Sequence, residues 1–127
     1  MLNKNGIRRE FTVPNMPQQN GKAKRMNRTL VEMAQCLLLE SRLPDTFWAE
    51  AVQTTNYTRN RYPSKSLKNN VTPYEIWHKG KPDVSNFRKF GYKAFLLDKT
   101  PTLGKFIERF KEWIFAGYSN EASAYRL

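Results

Sequence analysis

The sequence predicts an α+β chain, with helices first and a small antiparallel β-unit after them. Three observations carry this. Between Ala23 and Leu38, apolar residues recur at every third or fourth position, which is the period of one helix face. After Pro82 that period gives way to three runs rich in strand formers: Phe90–Leu97, Ile114–Tyr118 and Ala124–Leu127. Turn-forming residues separate the runs: Asp98, Pro101 and Gly104 after the first, then Ser119 and Asn120 after the second. A soft boundary near residues 82–90 divides the chain into 1–82 and 83–127.

The elements follow in order. The start is polar up to Gly6, Phe11-Thr12-Val13 reads as a short strand, and Pro14 and Pro17 bracket a loop. A helix is predicted from Asn20, whose side-chain oxygen is placed to cap a free N–H of the first turn. Its stripe is Ala23, Met26, Leu30, Met33, Leu37 and Leu38, and Lys24, Arg25, Arg28, Glu32 and Gln35 fall away from it. It should end near Ser41, before Pro44. A second helix is predicted from about Asp45 to Arg59, with Phe47, Trp48, Ala51, Val52 and Thr55 inward and Asn60, Tyr62 and Pro63 ending it. Ser64 to Asn70 reads as a polar loop. A short third helix starts at Thr72 as cap, with Pro73 in the first helical position and Glu75 closing a capping box. Gly80 is expected to end it in the left-handed conformation. Phe47, Trp48, Tyr74 and Trp77 sit at helical spacings and read as core. Few-stranded sheets are marginal alone, so the β-unit should lean on the helices. The chain runs out inside a predicted strand, as a fragment would.

Composition narrows the function classes. The chain has 127 residues, 39% of them apolar, which suits one small domain or parts of two. No apolar run reaches the roughly 20 residues of a membrane helix, and no signal pattern opens the chain, so an intracellular location without a membrane partner is expected. The one cysteine, Cys36, has no Cys or His partner at metal-binding spacing and is expected to be buried as a small apolar residue. His78 lacks a second ligand nearby and reads as surface or helix cap. There is no nucleophile-elbow sequence, phosphate loop or Gly-rich dinucleotide turn. The net charge is +11, from 22 basic and 11 acidic residues, which points to a polyanionic partner, most simply nucleic acid. Basicity is densest early. Residues 1–31 hold Lys4, Arg8, Arg9, Lys22, Lys24, Arg25 and Arg28 against Glu10 alone.

Four segments carry a resemblance: PNMPQQNGKAKRMNRT (Pro14–Thr29), LPDTFWAEAVQTTNYTRNRYPS (Leu43–Ser64), VTPYEIWHKGKPDVSNFRKFGYKAF (Val71–Phe95) and WIFAGYSNEASAYRL (Trp113–Leu127). In this order and spacing they resemble the integrase region of copia-type LTR retrotransposon Pol polyproteins. The resemblance implies that residues 1–82 are the C-terminal part of an RNase H-like integrase core. It implies that residues 83–127 are part of the SH3-like β-unit that follows that core, here truncated.

The family pattern near the first segment reads roughly PxxPQQNGxAERxNRT, and its Glu before the Arg binds catalytic Mg²⁺. Here that position is Lys24. An ammonium offers no lone pair to Mg²⁺ and repels it. The family's other two ligands are Asp residues from an earlier half of the core, which this sequence lacks. Asp45, Asp83 and Asp98 all lie downstream, and Glu32 stands about two helical turns away. Gln35 replaces a usual Arg, and Phe110 and Trp113 replace small or polar residues, which would raise exposed apolar area.

The resulting expectation is an inactive integrase remnant with no catalytic residue, no metal site and no cofactor. Its expected partner is DNA, bound nonspecifically through Gln19, Asn20, Lys22, Lys24, Arg25 and Arg28, together with self-association or association with other integrase chains. Two alternatives stay open. One is a fragment of an active integrase completed by another chain. The other is a domesticated protein-interaction module. Half a core leaves helices without the sheet they cover, so marginal stability is expected.

Overall fold

The computed structural model of the chain describes residues 6, 11, 13, 17–65, 67–97, 110–119 and 124–127. A 3₁₀ turn, Pro17–Asn20, leads into α1, Gly21–Ser41. A second 3₁₀ turn, Asp45–Phe47, leads into α2, Trp48–Asn60, and α3 follows at Pro73–His78. Four strands complete the order: β1 Lys93–Leu97, β2 Phe110–Ile114, β3 Gly117–Tyr118 and β4 Tyr125–Arg126. The expected α+β architecture is present. The expected strand at 11–13 falls partly outside the described residues, and Phe11 and Val13 themselves are not in a strand.

α1 has no Gly or Pro beyond its first residue and is rich in Leu, Met, Arg and Glu, so propensity favours it along its length. It stops where expected. Arg42 turns left-handed at φ 55°, and the Ser41 hydroxyl donates to Leu38 O at 3.0 Å while accepting from Leu43 N–H at 3.4 Å. Asn20 does stand at the cap, but its side chain makes no capping bond. Its φ of −93° and ψ of 15° continue the 3₁₀ turn, whereas a capping side chain needs an extended backbone to fold back over the first turn.

α3 forms as the sequence predicts. Thr72 Oγ1 accepts from Glu75 N–H at 3.1 Å, and the Glu75 carboxylate accepts from Thr72 N–H at 2.7 Å. These bonds hold the Glu75 carboxyl below the usual carboxylate range. The cap's contribution is therefore present at neutral pH and is lost as pH falls through that lowered value. The left-handed residue that ends α3 is Lys79, at φ 54°, and not Gly80, because Lys79 N–H already closes on Glu75 O at 2.8 Å.

The helices pair through small residues. Ala34 of α1 and Ala51 of α2 are buried together with Phe90, and Leu37, Leu38, Leu43, Phe47 and Val52 pack around them. Thr54 and Thr55 continue the buried face of α2. Such a seam brings two backbones close and leaves no depth for an indole. Trp48, expected inward, is accordingly 63% exposed. Trp77 is 76% exposed on the short α3, so that expectation also fails. Cys36 is exposed as well. It lies two residues past Ala34, about 200° around the helix, and so faces away from the seam.

The β-unit is two separate antiparallel ribbons, β1 with β2 and β3 with β4. The run from Ile114 to Tyr118, expected as one strand, is split at Phe115 and Ala116. Phe115 still belongs to the first ribbon's side: its N–H donates to Tyr92 O at 2.8 Å, and its carbonyl accepts from Gly91 N–H at 3.0 Å. Ala116 N–H donates instead to Arg126 O at 2.9 Å, so the chain changes partner here. The turn residues expected at Asp98, Pro101, Gly104 and Asn120 lie outside the described residues.

As expected, the β-unit leans on the helices. Thr54 Oγ1 donates to Ala116 O at 3.2 Å. One turn further along α2, the Tyr57 ring stacks on Tyr118 at 4.1 Å and 10°. The Arg61 guanidinium lies 3.4 Å from the Tyr57 centroid, and a ring and a guanidinium this close to one centroid must occupy opposite faces. Arg61 also covers Tyr74 at 4.5 Å, and Tyr74 meets His78 at 4.2 Å. A stacked column thus ties β3 to α2 and α3, with each cation–π contact contributing about 0.5–2 kcal/mol. Tyr118 is buried, and its hydroxyl accepts from Arg88 N–H at 2.9 Å and donates to Arg88 O at 3.3 Å. Burial pushes its phenol above the ordinary tyrosine value.

Two stability predictions follow from this packing. Gly91 has φ +77°, and a Cβ there would stand 2.3 Å from Ser41 Cβ. Gly91→Ala is expected to lose about 2–4 kcal/mol of unfolding free energy in a urea titration. Gly21→Ala, where a Cβ meets nothing within 4 Å, should lose none. Thr55 is buried, and its hydroxyl has no hydrogen-bond partner among the described residues. Thr55→Val is expected to raise stability by about 1 kcal/mol, and an unchanged or lower melting temperature would show that the hydroxyl is satisfied in solution.

Candidate nucleic-acid interface

The expected DNA-binding residues occupy the first turns of α1 and the 3₁₀ turn before it. Gln19 and Asn20 belong to the turn, and Asn20 is exposed. Lys22, Lys24, Arg25 and Arg28 are all exposed on α1. At 100° per residue, Lys24, Arg28, Arg25 and Lys22 follow one another around the helix over an arc of about 160°. Arg25 points directly away from Ala34, Lys22 and Arg28 lie about 120° from it and Lys24 about 80°, and all four side chains are open to solvent.

The electrostatics of this end are unbalanced. The positive end of a helix dipole favours acidic side chains, yet the first turn of α1 has none. Lys22 and Lys24 stand there instead. The local field therefore favours an anion. Lys22, Lys24 and Arg25 make no ion pair among the described residues. Arg28 differs from them. Its Nε donates to Glu32 Oε1 at 2.7 Å, one turn along the helix. That hydrogen bond and the adjacent charge raise the Arg28 pKa further. Both side chains are largely exposed, so the pair adds little stability but takes up part of Arg28's donor capacity.

Lys24 itself is exposed near the start of α1, and Glu32 turns to Arg28. Among the described residues, no group of three or more His, Cys, Asp or Glu side chains is placed to hold a metal ion. His78 stacks on Tyr74, as a surface histidine can. No helix among the described residues is long and apolar enough to cross a membrane.

The structure adds one basic residue that the sequence did not mark. Arg59, in the last turn of α2, has its Nη1 against Met26 Sδ on α1. The two residues are 33 apart in sequence, so only the antiparallel helix pairing could reveal the contact.

No protein-family model matches the chain, and no solved structure matches it. Among known proteins it is 42% identical, over 96% of its length, to the retrovirus-related Pol polyprotein from transposon TNT 1-94 of Nicotiana tabacum. It is 29% identical, over 98% of its length, to the Pol polyprotein from transposon RE2 of Arabidopsis thaliana. It is also 39% identical over 71 residues to an uncharacterised mitochondrial protein of Arabidopsis thaliana, covering 56% of this chain and 58% of that one. The chain spans 9% and 8% of the lengths of the two transposon polyproteins. Over nearly its whole length the chain is thus similar to a short segment of retrovirus-related Pol polyproteins from plant copia-type transposons.

Proposed function

We propose that this chain derives from the integrase region of such a polyprotein, with residues 1–82 from an RNase H-like core and 83–127 from an SH3-like β-unit. Its chemistry is lost, and what remains is nonspecific binding of nucleic acid. The observation that carries this reading is the start of α1, where Lys24 stands in the family's Glu position inside an exposed basic cluster with no acidic residue in the first turn. The donor set there does not fit Mg²⁺, since an ammonium has no lone pair to give and repels the ion. The same ammonium suits a phosphate.

Lys22, Lys24, Arg25 and Arg28 supply the charge, and Gln19 and Asn20 supply polar contacts from the adjoining turn. Contacts of this kind go to the phosphate backbone. They position the protein without reading sequence. A second reading, as a surface for self-association or for a protein partner, is favoured by a different observation. Trp48, Trp77, Phe95, Phe110 and Trp113 are all exposed, which leaves large apolar side chains at the surface for a partner to cover.

Binding of the chain to a labelled DNA duplex across a salt series, with Mg²⁺ and with EDTA, tests the main reading. With four basic contacts, log K is expected to fall against log salt with a slope of about −3 to −4, and EDTA should make no difference. A requirement for Mg²⁺, or no binding at low salt, would overturn it. A protein partner or a self-assembly that persists at high salt would favour the second reading, because screening weakens charge-driven contacts. Glu32→Gln should release Arg28 and strengthen DNA binding with a steeper salt slope. Unchanged affinity would mean that Arg28 does not face the duplex.

A further inference from the structure

We infer that Arg59 is a further phosphate contact, so that the nucleic-acid surface crosses the seam between α1 and α2 and is not confined to α1. This rests on the nucleic-acid reading above. Around α1 the basic arc ends at Lys22. Met26, four residues on, lies on the same face one turn away. Met26 is therefore the next residue beyond the arc on the side toward α2, and Arg59 of α2 rests on it through Nη1 and Sδ. Lys22 and Arg59 thus flank one methionine from two helices. Antiparallel helices pack at about 8–10 Å, a spacing at which both cations can reach one phosphodiester backbone.

Three further facts favour an anion here. Arg59 makes no ion pair with a carboxylate among the described residues. Its near neighbour Arg61 is already engaged between Tyr57 and Tyr74, so it does not compete for the same role. Thioether sulfur is a weak acceptor and takes one N–H, while a guanidinium has five to give. A cation at the last turn of α2 also suits that helix's dipole. That effect would influence stability but not the salt dependence of binding, which separates the two roles.

The test is duplex binding of the full chain across a salt series, for wild type, Arg59→Gln, Arg59→Lys, Lys22→Gln and Lys111→Gln. Circular dichroism melting of each protein monitors folding. Lys111 serves as a charge control. It is exposed on β2, whose partner strand follows Gly91 at the far end of α1. Arg59→Gln is expected to reduce the magnitude of the salt slope by about 0.9, the value of one phosphate contact, with its helical signal retained. Arg59→Lys should keep the wild-type slope, and Lys111→Gln should leave it unchanged. If Arg59→Gln matches Lys111→Gln while Lys22→Gln loses slope, the Arg59 contact is overturned and the nucleic-acid reading stands. If the wild type does not bind, or no variant alters its slope, both fall. If Arg59→Gln lowers the melting temperature and leaves the slope alone, the role is structural and the inference is overturned.

Discussion

The Thr54 hydroxyl donates to Ala116 O across 62 residues of sequence, and much of the described structure depends on this approach. It requires small residues on both sides. A Cβ at Gly117 would come within 2.6 Å of Thr54 Oγ1, and Gly117 itself has φ +144°. Because the backbone of the β-unit can lie directly on α2, Tyr118 reaches Tyr57 one turn further on, and the stacked column continues through Arg61 to Tyr74 and His78. Gly91 makes the equivalent approach at the other end, against Ser41. The two ribbons are too short to stand alone, and these two close contacts with helix side chains supply support they lack.

The same economy of size limits the core. Among the described residues, the buried apolar ones are Ala34, Ala51, Phe90, Phe115, Ala116 and Tyr118, half of them alanine. Each buried alanine removes little apolar area from water, so the seam is close but contributes modestly. Many larger apolar side chains face outward. Leu39 is 79% exposed, and Met26, Val31 and Met33 of α1 are also exposed. The β1–β2 ribbon shows Phe95, Leu97 and Phe110 on one face and Leu96 and Trp113 on the other. Phe110 and Trp113 both add exposed apolar surface.

Charge is arranged in the opposite sense. The start of α1 gathers like charges where the dipole already makes cations unwelcome, at roughly 0.3–1 kcal/mol each at low ionic strength. Folding gains nothing from this, and an incoming anion would relieve it. Glu32 offsets the charge only at Arg28. The helix is held by its packing and propensity, which leaves its first turns free to carry unfavourable charge.

The sequence by itself determined the order of elements, the limits of α1, the capping box at Thr72 and Glu75, and the concentration of positive charge near residue 24. These are local properties. They follow from side-chain period, capping chemistry and formal charge, all of which act within one or two turns. The tertiary structure decided what local rules do not reach. It turned Trp48, Trp77 and Cys36 outward, because inward faces are set by which element arrives opposite and the contact of Ala34 with Ala51 leaves no depth for an indole. It split the run from Ile114 to Tyr118 between two ribbons, because Phe115 and Ala116 find different partners. It also brought Arg59 to Met26, because two antiparallel helices place residues 33 apart in sequence side by side, a proximity that no spacing rule along one chain can show.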